Sequence, residues 1–262
     1  MTLTEWLQSL HTSALAVVIV GGFLAATLVA GYLVGRFTSR EIRLQHNDLA
    51  GFILAVIGVV YAVLLGFVAI GVWERFENAE SRTYDEAANL TVVYRDASSF
   101  PQGHQLRAGI TRYAQTVIDE EWPKMLQGSR SLAARREVEA LDLTVRSLPV
   151  NNAREQNIHA EMLQAMDTTL GDRDERTSID AHGINVVMWV VLALGAFITV
   201  GFTYLFGFRQ TLMQQLMIGS LSVLIGLMLF LTFSLDYPFR GDIAVAPDAF
   251  ENALRTFALI GR

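Results

Sequence analysis

The fold class this sequence predicts is an all-α integral membrane protein, with four transmembrane helices and a helical extramembrane bundle inserted between spans 2 and 3. Three observations predict it. The apolar residues lie in four uncharged blocks of about twenty residues or more, enough to cross the roughly 30 Å hydrocarbon layer of a bilayer. The charges lie between those blocks. The long polar segment shows helical spacing of its apolar residues and no strand-like alternation. A soluble chain can also be 52% hydrophobic, so the distribution carries the argument and the total does not.

The N-terminal part, residues 1–73, holds a tail and two spans. Met1 to Thr12 carries no Lys or Arg, so no cleaved secretory signal is expected, and Trp6 is placed to anchor the tail at the interface. The first span covers about 13–35, with Gly21, Gly22, Ala25, Ala26, Ala30 and Gly31 as a close-packing surface. A polar loop follows with Arg36, Arg40 and Arg43. By the positive-inside rule it is cytoplasmic, which puts the N-terminus outside.

The second span covers about 49–73. Its small residues Gly51, Ala55, Gly58, Ala62, Gly66 and Ala69 recur three or four apart, which gathers them on one face, and a smooth face in lipid suits another helix. No Pro, and no Gly after Gly71, stops the helix at the membrane edge, so it is expected to run on into water to about Ala97. There Trp73, Phe76, Thr83, Ala87, Leu90, Tyr94 and Ala97 fall near a heptad line that Glu80 interrupts.

Residues 74–183 then form the extramembrane domain. Phe100-Pro101 opens a turn. A helix is expected over 103–121, ended or kinked at Trp122-Pro123. Another runs over 129–148 with Ser129 or Ser131 as its cap, and a third from Asn151 or Asn152 to about Leu170. Acidic residues exceed basic ones in this domain. The hairpin of spans 3 and 4 occupies 184–235 (about 184–206 and 212–235), joined by a short link holding Arg209. Trp189, Tyr204 and Tyr237 are expected at the membrane interface. The even number of spans returns the C-terminus to the side of the N-terminus and the domain. The tail, 236–262, has a Pro238 to Gly241 turn and a short amphipathic helix after Pro247, whose non-basic polar face favours docking on the bundle over lying on a membrane.

Composition and motifs narrow the function. The chain has no Cys, which excludes disulfides, thiolate metal sites and Cys nucleophiles. Its net charge of −6 argues against nucleic acid as a partner. The five His, including His46, His159 and His182, have no metal-ligand spacing, and no phosphate-binding loop is present. No catalytic residue, metal or cofactor is expected, nor an enzyme. No ionisable group lies well inside a span and no span is broken by Pro, which argues against proton-coupled pumps and half-helix transporters. The polar groups at depth, Tyr61, Thr199, Thr203, Ser220, Ser222 and Thr232, are expected to bond to helix backbone or a neighbouring helix. A pore gated by apolar bulk needs no charge, and Tyr61, Phe67, Phe230 and Phe233 are the candidates for lining or gating one.

Two stretches carry a family resemblance: VWERFENAESRTYDEAANLTVVYRDA at 72–97 and LDYPFRGDIAVAPDAF at 235–250, joined by EEWP at 120–123. Their marked residues are Trp73, Phe76, Glu86, Tyr94, Trp122, Pro123, Asp236, Pro238, Phe239, Gly241, Pro247 and Phe250. With the span arrangement, the chain resembles the bacterial bestrophin-like domain family. One departure is Gly183-Ile184, where a Pro is expected before the third span. The resemblance implies a homo-oligomer, pentameric by analogy, that conducts inorganic ions with anion preference in the bacterial inner membrane. On the charge rule, the domain and both termini then lie on the extracytoplasmic side. The alternative is a non-conducting scaffold or sensor that couples the helical domain to the membrane.

Overall fold

The computed structural model describes residues 6–7, 10–37, 47–181, 183–206 and 211–261. Arg40, Arg43, His46, His182 and the link with Arg209 lie outside the described residues. The chain divides into two compact units, Met1–Glu74 with Ile184–Asp236, and Arg75–Gly183 with Tyr237–Arg262.

The first unit holds four helices long and apolar enough to cross a membrane. The first span is built from α1 (Thr12–Ala16), a π-helical turn (Val17–Gly21) and α2 (Gly22–Phe37). The second is the opening part of α3 (Asn47–Asp96), a single 50-residue helix. The third is α8 (Val186–Thr203) and the fourth α9 (Thr211–Leu235). Their shared core is Tyr61, Leu65, Leu192, Ala196, Val200, Tyr204, Ile218 and Ile225. In lipid, apolar burial does not drive helices together, so close fit and internal hydrogen bonds must. Both are present. The Tyr61 ring occupies the space that a Cβ on Gly195 would need, with the nearest ring atom 2.4 Å from that position. The Tyr61 hydroxyl donates to the Leu192 carbonyl at 3.2 Å.

All but one of the polar groups at depth behave as expected; Ser220 is exposed and makes no hydrogen bond among the described residues. Thr199, Ser222 and Thr232 each donate to the carbonyl four residues back, and Thr203 to that of Val200. Thr27 and Ser222 meet at 2.8 Å, linking the first and fourth spans. Tyr204 is no interfacial anchor. It is buried beside Gly31, and its hydroxyl donates to the Thr27 carbonyl at 2.7 Å. Asp236, at the end of the fourth span, accepts from the Ile184 N–H at 2.6 Å and from Trp189 Nε1 at 3.3 Å. A Pro at 184 would have no N–H to give, so the Gly183-Ile184 departure has a local use. Gly183 itself leaves room for the Tyr237 ring, 2.6 Å from where its Cβ would stand.

The second unit is a helical bundle. The extramembrane part of α3 packs with α4 (Gly103–Thr116), a π-helical turn (Val117–Glu121), α5 (Trp122–Leu126), α6 (Leu132–Arg146), α7 (Ala153–Ala181) and α10 (Asp248–Ile260). Leu90, Val93, Leu106, Ile110, Tyr113, Val117, Val138, Met162, Met166, Phe250 and Phe257 are in its core.

Three sequence expectations change here, and the open choice of caps is resolved. The α3 seam is set by Ala79, Thr83, Glu86, Leu90 and Val93; Glu80 points outward and Trp73 is 50% exposed. Pro123 neither stops the helix nor leaves it regular. It has no N–H to donate, and the π-helical turn before it re-routes the hydrogen bonds. Ser131 is the cap of α6, accepting from the Ala134 N–H. Asn152 caps α7 by accepting from the Glu155 N–H at 2.9 Å, but α7 continues eleven residues past Leu170 to Ala181, because Gly171 keeps helical geometry and the turn after it is tied down by buried arginines. The tail is part of this unit, with Tyr94 and Phe257 stacked at 4.3 Å.

Candidate functional site

Many of the family-motif residues meet around one buried guanidinium. Arg176 on α7 is wholly buried. It donates to Glu86 at 2.8 and 3.3 Å, to Glu121 at 2.7 Å, and to the Met125 sulfur at 3.1 Å. Arg173, one turn earlier, pairs with the other oxygen of Glu121. The Tyr113 hydroxyl donates to Glu86. The Trp122 and Phe250 rings lie 5.2 and 5.7 Å from the Arg176 guanidinium, and Phe239 meets Trp122 edge-on at 5.6 Å. Trp122 Nε1 donates to the Val245 carbonyl at 3.0 Å, and the Val245 N–H to the Pro238 carbonyl at 2.8 Å. Pro247 stands at the N-cap of α10, and Gly241 takes a positive φ of 79° in the turn.

Two carboxylates thus balance two guanidiniums inside an apolar core, and most of their lone pairs and protons are used. Burial alone would pull the Arg176 pKa down, but Glu86 and Glu121 more than offset this and hold it above the ordinary value. Burial, and then the Glu86 charge, push the Tyr113 hydroxyl well above its ordinary range. Burial also raises Asp180, against the pull of Arg240. This cluster is a structural clasp that locks the tail onto the bundle. The sequence marked Glu86, Trp122, Phe239 and Phe250 as motif residues; Tyr113 reads there only as part of the apolar face of the 103–121 helix, and Arg173 and Arg176 as basic residues near the end of the domain. An Arg pair at i, i+3 among acidic neighbours reads as a solvated face until three helices bring Glu86 and Glu121 to it.

The second span carries the feature on the membrane side. At about 100° per residue, its residues sort into three stripes. Tyr61, Leu65 and Val72 face the core of their own unit. Roughly a quarter turn round lie Gly51, Ala55, Gly58, Ala62, Gly66 and Ala69. Ala55 and Ala62 are exposed, and a Cβ on Gly58 or Gly66 would meet nothing within 4 Å. Opposite the core lie Phe52, Val56, Val59, Val63, Phe67 and Ile70, each more than half exposed. Exposed Glu74 ends this stripe, and exposed Glu77 follows on the same helical register.

Of the four pore candidates, only Phe67 stands on the free stripe. Tyr61 is packed within its unit, and Phe230 and Phe233 are half-buried, Phe233 lying against Trp189 at 6.0 Å. No group of three or more metal-ligating side chains occurs among the described residues.

Four apolar membrane-crossing helices and a clasped helical bundle define a class of all-helical integral membrane proteins. The sequence profile of the bestrophin-like domain matches residues 21–250, and the chain belongs to that family. Solved structures share the fold. Two variants of a bacterial bestrophin homologue from Klebsiella pneumoniae superpose with TM-scores of 0.67 and 0.66 at 11% and 12% identity. The matches cover 94% and 91% of this chain and 99% and 98% of theirs. A third structure, described as a membrane protein, gives a TM-score of 0.67 at 12% identity, covering 92% of this chain and 98% of its own. No curated protein matches the chain.

Proposed function

We propose that the protein is a homo-oligomeric ion channel, in which the second spans of several copies surround an axis. The small flank, Gly51 to Ala69, is the contact between neighbouring copies, and the Phe52 to Ile70 stripe faces the passage as an apolar constriction. The observation that carries this reading is a pair of adjacent, largely open stripes on one span: a smooth flank for a helix, and beside it a bulky face whose residues are each more than half exposed. Family membership supports it. Tyr61 is not offered as a lining residue, because its ring is used within the unit.

Purified protein in liposomes is expected to pass ions, and a view down the symmetry axis to show the second spans around a ring, five copies by the family resemblance. Silent vesicles holding an intact ring would overturn conduction. Selectivity divides two arguments. The resemblance implies anions, whereas Glu74 and Glu77 favour cations at the mouth through the local potential. Reversal potentials across a salt gradient choose between them.

In this reading the domain and both termini lie outside the cytoplasm, which the loop arginines support by the positive-inside rule. Because the chain has no Cys, single cysteines introduced on the bundle can be labelled from one side at a time, and labelling from the cytoplasmic side alone reverses this orientation. The scaffold or sensor reading rests on α3 being one helix that contributes to both units. A stoichiometric co-purifying partner together with silent vesicles favours it.

A further inference from the structure

The outer surface of the membrane unit has a second feature, separate from the second span. A groove of about 730 Å³ runs between the first and fourth spans, walled by Leu24, Leu28, Leu216, Val223 and Leu227 and floored at Gly219. It shares Leu28 and Gln215 with a smaller hollow of about 320 Å³, whose rim holds Tyr32, Arg36 and Gln214. The two together make one cleft, apolar along its length and polar at one end.

Arg36 lies in the last turn of the first span, at the membrane edge, and makes no ion pair among the described residues. From Gln214 to Leu227 the fourth span rises about 20 Å, a little more than the roughly 15 Å depth of one leaflet. A cation at the edge with no ion pair among the described residues, amide and phenol groups beside it, and one leaflet's depth of aliphatic wall match a single amphiphile with an anionic head.

We infer that this cleft is a binding site for a phospholipid of anionic headgroup. One acyl chain lies along the Leu24 to Leu227 groove. The phosphate sits at Arg36, with Tyr32 and Gln215 within reach of the glycerol and phosphate oxygens. An anionic head is chosen over a zwitterionic one because Arg36 brings a positive charge to the headgroup level, where each basic residue favours anionic lipid by roughly five-fold. The site does not depend on conduction, and its test does not use it.

The test is native mass spectrometry of the intact protein, released from micelles containing equal phosphatidylglycerol and phosphatidylcholine. The wild type is expected to retain phosphatidylglycerol preferentially. Arg36→Gln should lose about five-fold of that preference while still holding lipid, and Arg36→Lys should largely restore it. Gly219→Leu fills the groove from its floor, where a Cβ meets only Leu24 at 3.7 Å, so retention of both lipids should fall with the helical content unchanged. Unchanged preference in Arg36→Gln would overturn the headgroup assignment, and unchanged retention in Gly219→Leu the groove itself. A second copy of the chain covering the cleft would also overturn it. That outcome is read as efficient disulfide cross-linking of Leu224→Cys between copies, with no lipid retained.

Discussion

Arg176 stands on a charge balance that any neutral substitution breaks. Its guanidinium is enclosed by Glu86, Glu121, Met125, Trp122 and Phe250. Replacing it with Ala leaves two carboxylates facing one arginine without water. The expected loss is about 3–5 kcal/mol, as for other buried pairs stripped of one partner, measured by thermal or denaturant unfolding of the solubilised protein. Exposed Arg135 is paired with Glu139 along one helix face and screened by solvent, so the Arg135→Ala protein should unfold almost as the wild type does. Tyr113 adds a pH signature. Its folded pKa is raised above the ordinary value of about 10, so its contribution is complete below pH 10 and is lost as the pH climbs through the folded value. The wild type should therefore lose melting temperature above pH 10 faster than Tyr113→Phe; parallel curves would remove Tyr113 as the cause. At this scale the sequence was informative where a residue type is unusual in its place, as for Trp122 and the Pro238 to Gly241 turn. It was silent on Arg173 and Arg176, because charges in an acidic helix look solvated unless their partners on other helices are known.

Two glycines on different spans separate packing within a copy from packing between copies. Gly195→Ala drives a Cβ into the Tyr61 ring, so the membrane unit itself should be destabilised, by about 1–3 kcal/mol for overpacking. A Cβ added at Gly58 meets nothing within 4 Å, so Gly58→Leu starts from open space. It should leave a folded protomer but shift size-exclusion and cross-linking profiles toward smaller species. Val59→Leu, on the neighbouring stripe, should leave assembly as it is. Equal assembly in all three variants would sink the small flank as an interface. The spans were legible because about twenty uncharged residues have few other uses. The small stripe was legible as a face, but that most of it is left open inside the unit, with only Gly51 near the Phe206 ring, needed the arrangement of all four spans. The length of α7 was missed because local signals near Gly171 resemble a stop, while long-range pairs of Arg173 and Arg176 hold the helix beyond it. The π-helical turn before Pro123 is likewise a response to packing around Glu121 and Trp122 rather than to a local code.

The whole chain interleaves its two units: membrane, bundle, membrane, bundle. The composition blocks made that alternation visible, and the tail's apolar stripe pointed toward the bundle. What the blocks could not give is which bundle positions receive Phe250 and Phe257, because those sockets are shared by Tyr94, Trp122 and Arg176 from three helices. Removing residues 237–262 should therefore expose the core rather than trim a loose end, with the bundle becoming protease-sensitive while the four spans still insert. A truncated protein as resistant as the full chain would refute the clasp. The clasp also sets an order of events during synthesis. The pieces that enclose Arg176 emerge early, except for the one that carries Phe250, and between them the ribosome must deliver two further spans to the bilayer. The bundle stays open through that interval, with its ion pairs unsealed, and closes only after the last span is in place. Completion of the water-side core is in this way a check that membrane insertion has already succeeded.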